Sequence, residues 1–178
     1  MKGNKLIVIK EEVFKGNLLD IGMENYGVIY NAYKCLNQEI SVDYLDEKEE
    51  GTIRHGYYDN CILLLSLSKI FLEKTKLRLI KEVSTYLNEN GILYIWDIDK
   101  KIGKVWVEGI KIQTPDNKIK DVKIMDLNLL RDNSKENTLK LLSKHYDVID
   151  FSCEHGVYYI KANKKREKEK HENCFGCG

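Results

Sequence analysis

Two acidic residues and a glycine near residue 20 have the types and spacing of a ligand-binding turn. Asp20 and Gly22 lie at the end of an apolar run, and Glu24 comes two residues later. A glycine at this point allows a tight turn, and the start of a helix offers unpaired N–H groups to a ligand. A strand, a turn and a helix in this order are typical of a nucleotide site, so we expect residues 17–34 to bind a nucleotide.

Two elements must hold that turn in place. Before it, the apolar residues Leu18, Leu19 and Ile21 predict a strand. After it, apolar and aromatic residues recur at roughly i, i+3, i+4 and i+7, which predicts a helix with one buried face. The residues of that face are Tyr26, Ile29, Tyr30 and Tyr33.

A second short strand, over residues 39–44, contains another acidic residue. Asp43 lies roughly twenty residues beyond Gly22, where nucleotide-binding folds place an acid that binds the ribose. A charged hydrogen bond of this kind is worth roughly 1.5–3 kcal/mol. The alternative is that Asp43 only begins a polar loop, since Asp is common in turns.

The run Leu-Leu-Asp20-Ile-Gly22 resembles the first motif of the class I S-adenosylmethionine-dependent methyltransferases. In that motif an apolar strand ends in an acidic residue followed by Gly-x-Gly-x-Gly. This chain departs from it because Glu24 stands where the second glycine is expected, and the third is replaced or shifted to Gly27. The resemblance implies S-adenosylmethionine as cofactor, with Asp20 and Gly22 at its methionine end and Asp43 at its ribose. The predicted cofactor-binding residues are Asp20, Gly22, Glu24, Tyr26, Asp43, Tyr44 and Ser66.

The middle of the chain resembles the same family in the same order. Residues 57–66 form a continuous apolar strand that begins with Tyr-Asp, as the family's fourth strand does. Such a run is typical of a parallel strand buried on both faces. Residues 70–88 predict an amphipathic helix that stops in a left-handed turn at Asn90-Gly91, and residues 92–97 predict the fifth strand.

The last part of the chain predicts a helix opened by Asn133-Ser134 and an antiparallel strand pair over residues 146–161, which resemble the family's ending. Between the second strand and the fourth, residues 45–57 leave room for at most one helical turn, because a parallel crossover needs a dozen or more residues. The predicted fold class is therefore α/β: a Rossmann-like methyltransferase sheet, mostly parallel with an antiparallel C-terminal strand pair, and with the third strand unit reduced or missing.

Polar residues follow both central strands at the edge where ligands of α/β sheets bind. Ser68 and Lys69 come after the strand of residues 57–66, and Asp97 ends the next strand. We therefore expect Ser68, Lys69 and Asp97 to face the substrate. The alternatives are that Ser68 caps the following helix, that Lys69 is solvated, and that Asp97 ends its strand in water. No catalytic residue is identified, since methyl transfer by direct displacement relies mainly on positioning and desolvation.

The methyl acceptor is not identified by these residues. The Asn/Asp/Ser-Pro-Pro-aromatic motif that marks methylation of nucleic-acid bases is absent after the fourth strand, which disfavours a base methylase. A formal net charge of +1 predicts no general affinity for nucleic acid or membranes. We favour a small-molecule acceptor. Near-alternating apolar residues over 104–125 predict a hairpin insertion, which either builds the substrate pocket or covers the sheet.

The length of the chain and its cysteines indicate the number of domains and the cellular compartment. The 178 residues predict one domain over 1–163 and a charged, disordered tail over 164–178. The apolar run of residues 6–9 is too short for a signal sequence or a membrane span, and five cysteines without a regular framework indicate a reducing cytoplasm. His171, Cys174 and Cys177 have zinc-like spacing but lack a fourth ligand, so no metal site is predicted.

Two other functions compete with methyl transfer. A dinucleotide dehydrogenase is disfavoured by Glu24, because a carboxylate about 5 Å from a pyrophosphate charge costs on the order of 3 kcal/mol, whereas the cationic cofactor attracts it. The alternative is that Glu24 points to solvent. The second competitor is a methyltransferase-like fold that has lost its chemistry and serves as a binding or assembly module, which the replaced glycines and the missing third unit favour.

Overall fold

Strands and helices alternate along the part of the chain that this computed structural model describes, which is residues 5–22, 27–36, 42–45 and 53–166. The strands and α-helices are β1 Leu6–Val8, β2 Leu18–Ile21, α1 Val28–Leu36, β3 Val42–Leu45, β4 Tyr58–Leu64, α2 Glu73–Tyr86, β5 Leu87–Ile98, β6 Trp106–Gln113, β7 Ile119–Asp126, α3 Lys135–Leu142, β8 Tyr146–Glu154 and β9 Val157–Lys164. Single 3-10 turns lie at Glu11–Phe14 and Leu67–Lys69. The predicted α/β class is confirmed.

The larger of two sheets has six strands in the order β3-β2-β4-β5-β9-β8. β2 pairs in parallel with both β3 and β4, and β4 pairs in parallel with β5. β9 runs antiparallel to its neighbours β5 and β8. Because these strands are parallel, the carboxyl ends of β2, β3, β4 and β5 lie on one side of the sheet, where ligands of such sheets bind.

Alternation along each strand sends side chains to two separate cores. In β2, Leu18 packs with α1, β6 and β7, whereas Leu19 packs with α2 and α3. Helices or strands thus cover both faces of the central strands, which explains why β4 is apolar almost throughout.

The smaller sheet has the order β1-β6-β7 and lies on the α1 face of the larger one. β6 and β7 pair antiparallel across the segment 104–125, and β1 adds in parallel to β6. Alternate residues of β6 and β7, such as Ile110, Ile112 and Val122, are buried in the shared core. The hairpin therefore covers the sheet, while its other face points to solvent.

The predicted left-handed stop at Asn90-Gly91 is wrong. α2 ends at Tyr86, and Leu87 already has extended backbone with φ −65° and ψ 140°. Gly91 lies inside β5, next to an irregularity in the register with β4. A Cβ there would lie 2.7 Å from the Cβ of Leu87, so close packing rather than a turn explains the glycine.

Asp59, the acid of the Tyr-Asp pair, links the amino-terminal ends of three strands, opposite the ends where ligands bind. Its Oδ2 accepts a hydrogen bond of 2.7 Å from the Asn17 backbone N–H, and its Oδ1 accepts one of 2.7 Å from Asn88 Nδ2. These bonds hold the starts of β2, β4 and β5 together. Asp59 is therefore structural, far from the edge where ligands bind.

Gly16→Ala is expected to destabilise the fold more than Gly56→Ala does. Both glycines have left-handed backbone, with φ of 77° and 63°, so a side chain at either costs about 1–2 kcal/mol. At Gly16 the new Cβ would also clash with Asp59 Oδ2, whereas nothing lies within 4 Å at Gly56. Urea unfolding of both variants measures the difference. Equal losses would contradict the close approach of Gly16 and Asp59.

Candidate functional site

Asp20 is a buried acid near the carboxyl end of β2. It lies on the α1 face of the sheet, in line with Leu18, and is 7% exposed. Burial raises the pKa of its carboxyl from 3.8 to about 7. No hydrogen bond from another described residue reaches this carboxylate. Its ionised form is therefore poorly solvated, and a cation beside it would gain a strong partner.

β3 brings the second predicted acid to the same edge. The parallel register sets Asp43 opposite Leu19 and Tyr44 opposite Asp20. Both residues are placed by their backbone on β3. Asp43 is thus one strand away from Asp20, and its ribose-binding role stays a prediction.

Glycines stand at the end of β2 and at the start of α1. Gly22 directly follows β2 and is partly buried. Gly27 precedes α1 with a φ of 62°, a region that side chains disfavour, and its carbonyl accepts a 3.1 Å hydrogen bond from the Asn31 N–H. Gly27, the position to which the third glycine of the family motif is shifted, therefore lies at the start of α1. Glu24 and Tyr26, two predicted cofactor contacts, lie outside the described residues.

Ser66 ties the end of β4 to the end of β2. It is 1% exposed, and its Oγ donates to the carbonyl of Ile21 at 2.8 Å. The preceding Leu65 has a φ of 55°, which is uncommon for a side-chain-bearing residue and is typical of sites where the fold enforces a local conformation. The structure therefore brings Ser66 close to Gly22. The lone pairs of its hydroxyl can still accept a hydrogen bond from a ligand.

Ser68 and Asp97 lie together on the opposite face of the sheet. Asp97 Oδ2 accepts from the Ser68 N–H at 2.9 Å, and Oδ1 accepts from the Ile98 N–H at 2.8 Å. Burial raises the pKa of Asp97, although these N–H groups and Lys76 favour its ionised form. Both residues are buried, whereas Lys69 is half-buried. Their predicted substrate-facing role stays a prediction.

The alternative that Ser68 caps the following helix is wrong. α2 begins at Glu73 with Leu72 in the cap position, and no side chain caps it. Ser68 lies instead in the 3-10 turn Leu67–Lys69.

Comparison with known proteins identifies the fold. The chain superposes on an S-adenosylmethionine-dependent methyltransferase of Methanosarcina mazei with a TM-score of 0.55 and 15% identity, covering 94% of this chain and 95% of that one. One from Mesorhizobium loti gives 0.54 and 9%, covering 87% and 94%. The chain has a class I methyltransferase-like fold. The [4+2]-cyclase SpnF also superposes, with 0.52 and 14% over 84% of this chain and 74% of that one. No protein-family model and no curated protein matches the sequence.

Within this methyltransferase-like fold, a buried polar network that the sequence did not predict supports the carboxyl end of β5. Lys76 Nζ donates to the Asp132 carbonyl and to Asn133 Oδ1, each at 2.8 Å, and Asn133 Nδ2 donates to the Ile98 carbonyl at 2.8 Å. Burial lowers the pKa of Lys76. The spacing in the sequence indicated the burial of Lys76, because Lys76 is four residues before Ile80 and therefore lies on the same buried face of α2.

The described residues include neither a membrane-spanning helix nor a cluster of metal-binding side chains. None of their helices has the length and apolar character needed to cross a membrane. Nor are three His, Cys, Asp or Glu side chains of these residues grouped closely enough to hold a metal ion. The His171, Cys174 and Cys177 triplet lies outside this part of the chain.

Proposed function

We propose that the protein is an S-adenosylmethionine-dependent methyltransferase acting on an unidentified acceptor. The observation that carries this proposal is the buried Asp20 carboxylate, which lies near the carboxyl end of β2 and has no hydrogen-bond donor among the described residues. A cationic ligand fits that position. The neighbouring Gly22 and the left-handed Gly27 support the same proposal, because neither carries a side chain that would keep a ligand from the backbone.

The residues of the proposed site would contact different parts of S-adenosylmethionine and the acceptor. Asp20 would pair with the ammonium group of the methionine end, and Asp43 would bind the ribose hydroxyls. Glu24 would add negative charge that attracts the cationic cofactor, and Tyr26, Tyr44 and Ser66 would complete the pocket. When bound, S-adenosylmethionine supplies a methyl group on a positively charged sulfur. The chain itself would position the acceptor near Ser68, Lys69 and Asp97 and exclude water, which is sufficient for direct displacement.

In this proposal the larger sheet differs from the full methyltransferase sheet in the region of the third strand unit. We infer that the third strand unit is reduced or missing, because β3 lies at the edge of the sheet among the described residues and few residues separate it from β4. The adenine end of the cofactor would then be more exposed than in a full-length sheet. We also propose one domain over residues 1–163, with the hairpin as an insertion, in a reducing cytoplasm.

Asp43→Ala is expected to weaken binding of S-adenosylhomocysteine about 10- to 150-fold, because it removes a charged hydrogen bond to the ribose. Asp121→Ala is the matched control, since Asp121 is an exposed carboxylate on β7. Isothermal titration of the wild type and both variants gives the affinities. Unchanged affinity of Asp43→Ala would refute the ribose assignment even if the cofactor is right.

A second candidate is a protein of this fold that does not transfer methyl groups. The superposition on a protein described as a [4+2]-cyclase favours it, because the same fold then supports a different chemistry. The replaced glycine at Glu24 favours it too. Cofactor binding without methyl transfer to any of a panel of small-molecule acceptors, assayed by S-adenosylhomocysteine release, would support this candidate.

A further inference from the structure

A cavity of about 240 Å³ lies between β1 and the half of the larger sheet formed by β5, β9 and β8. Leu6, Ile7 and Val8 line it on one side, and Trp96, Val157 and Tyr159 line it on the other. The cavity is on the same face of the sheet as Asp20. Its nearest strand, β5, is two strands away from β2, which corresponds to about 10 Å, and Asp20, Gly22 and Ser66 do not line it, so the cavity is separate from the proposed cofactor site.

Aromatic rings form one wall of this cavity. Trp96 on β5 is directly opposite Tyr159 on β9, and their ring centroids are 5.1 Å apart at an interplanar angle of 34°. Trp96 is buried and Tyr159 is half-buried. The faces of such rings carry negative potential and attract cations, with Trp the strongest.

Carboxylates outnumber basic groups around the same cavity. Glu12, Asp150 and Glu154 line it, together with one basic residue, Lys10, among the described lining residues. Asp150 and Glu154 are exposed on the edge strand β8, and Glu154 is directly opposite Val157. Because Glu12 is already paired with Lys161, the carboxylates that pair with no other described residue are those of Asp150 and Glu154, which outnumber Lys10 by one. The interior is apolar, with one aromatic wall.

Lys161 shows that this face of the sheet stabilises an ammonium group. Its Nζ lies 3.2 Å from Glu12 Oε2 and 5.4 Å from the centroid of the Tyr94 ring. Burial alone would lower the pKa of Lys161, but its interactions with Tyr94 and Glu12 outweigh that effect and raise it. The pKa of the Tyr159 hydroxyl is also raised, by burial, by Tyr94 and by the charges of Glu12 and Asp150, so a negative charge on Tyr159 is disfavoured here.

We propose that this cavity binds the head of a small organic cation, an alkylammonium or quaternary ammonium group. Trp96 and Tyr159 would contact the cation through their ring faces, and Asp150 and Glu154 would supply the opposite charge. The volume equals that of on the order of eight liquid waters, so the ligand is small. The site does not depend on the proposed methyl transfer, and the ligand is recognised by charge and shape alone.

Titration with choline tests the site, and its neutral isostere 3,3-dimethyl-1-butanol is the control ligand. The full chain is used, without S-adenosylmethionine, so that the result is independent of cofactor binding. We expect choline to bind about tenfold more tightly than the neutral alcohol, because only the cation interacts with the rings and the carboxylates. Equal affinities, or no binding of choline at about ten millimolar, would overturn the proposal.

Two single-residue variants locate the binding. Glu154→Gln removes a carboxylate that lines the cavity, and we expect it to weaken choline binding several-fold. Asp147→Asn is the matched control, because Asp147 is on the same strand, with a side chain 72% exposed and paired with Lys165 at 3.5 Å, and does not line the cavity. If Asp147→Asn weakens binding as much as Glu154→Gln, the cation binds elsewhere and the proposal fails.

Discussion

Asp20→Asn is expected to raise the free energy of unfolding at pH 8 by about 4 kcal/mol, while lowering affinity for S-adenosylmethionine at least tenfold. The pKa of Asp20 is about 7 in the folded chain and near 3.8 when solvated, so ionising it in place costs about 1.4 kcal/mol per pH unit between those values. An amide of the same shape avoids that cost but has no charge to pair with a cation. Urea unfolding and calorimetric titration measure the two effects.

The stability gain of Asp20→Asn should depend on pH in a defined direction. Between pH 3.8 and about 7 the folded chain holds a proton on Asp20 that the unfolded chain has released, so the stability of the wild type falls as pH rises. The advantage of the variant is therefore about 1.5 kcal/mol at pH 5 and about 4 kcal/mol at pH 8. A gain that does not change with pH, or one shared by the exposed-site variant Asp121→Asn, would show that ionisation of Asp20 is not its cause.

Lys100→Met is expected to lower the free energy of unfolding by about 3–5 kcal/mol. The Lys100 side chain is 1% exposed, and its Nζ donates to the carbonyls of Asn128 at 2.6 Å and Arg131 at 2.9 Å, and lies 3.5 Å from Asp126 Oδ2. Methionine fills the space but leaves the Arg131 carbonyl without its Lys100 donor, leaves the Asn128 carbonyl with only the 3.4 Å bond from the Arg131 N–H, and weakens the neutralisation of the buried Asp126. This cluster holds the segment after β5 against the segment after β7.

Lys101→Met is the matched control for Lys100→Met. The Lys101 side chain is 68% exposed and lies 3.8 Å from Glu136, a surface pair of the kind that contributes little. Denaturant unfolding of both variants should show a large loss for Lys100→Met and a change within about 0.5 kcal/mol for Lys101→Met. Similar losses would contradict the structural role of the buried ammonium group.

Strong local patterns predicted the elements of the sheet well. The apolar run of residues 57–66 contains β4, and the periodicity of residues 70–88 contains α2, because burial on two faces or on one leaves a clear signature in the sequence. The class I methyltransferase-like fold predicted from these segments is confirmed by the superpositions. Sequence spacing failed at Gly91, where the glycine meets a close side chain from its own strand rather than a helix end.

The candidate site was only partly predictable because its contacts are formed between distant segments. The type and position of Asp20 indicated a ligand site, but its burial and raised pKa follow from the packing of α1 and the smaller sheet. The bond between Ser68 and Asp97 joins the 3-10 turn after β4 to the end of β5, between residues 29 positions apart, and no local pattern encodes it. The aromatic cavity at Trp96 likewise arises only when β1 is placed against β9.

Isothermal titration of the full chain with S-adenosylmethionine at about pH 8 tests the central claim most directly, since Asp20 is then largely ionised. We predict saturable binding with a dissociation constant well below about 1 mM, and no comparable binding of the dinucleotide NAD, whose pyrophosphate carries the opposite charge. No binding at millimolar S-adenosylmethionine, or tighter binding of NAD, would contradict the assignment of this site to a cationic methyl donor.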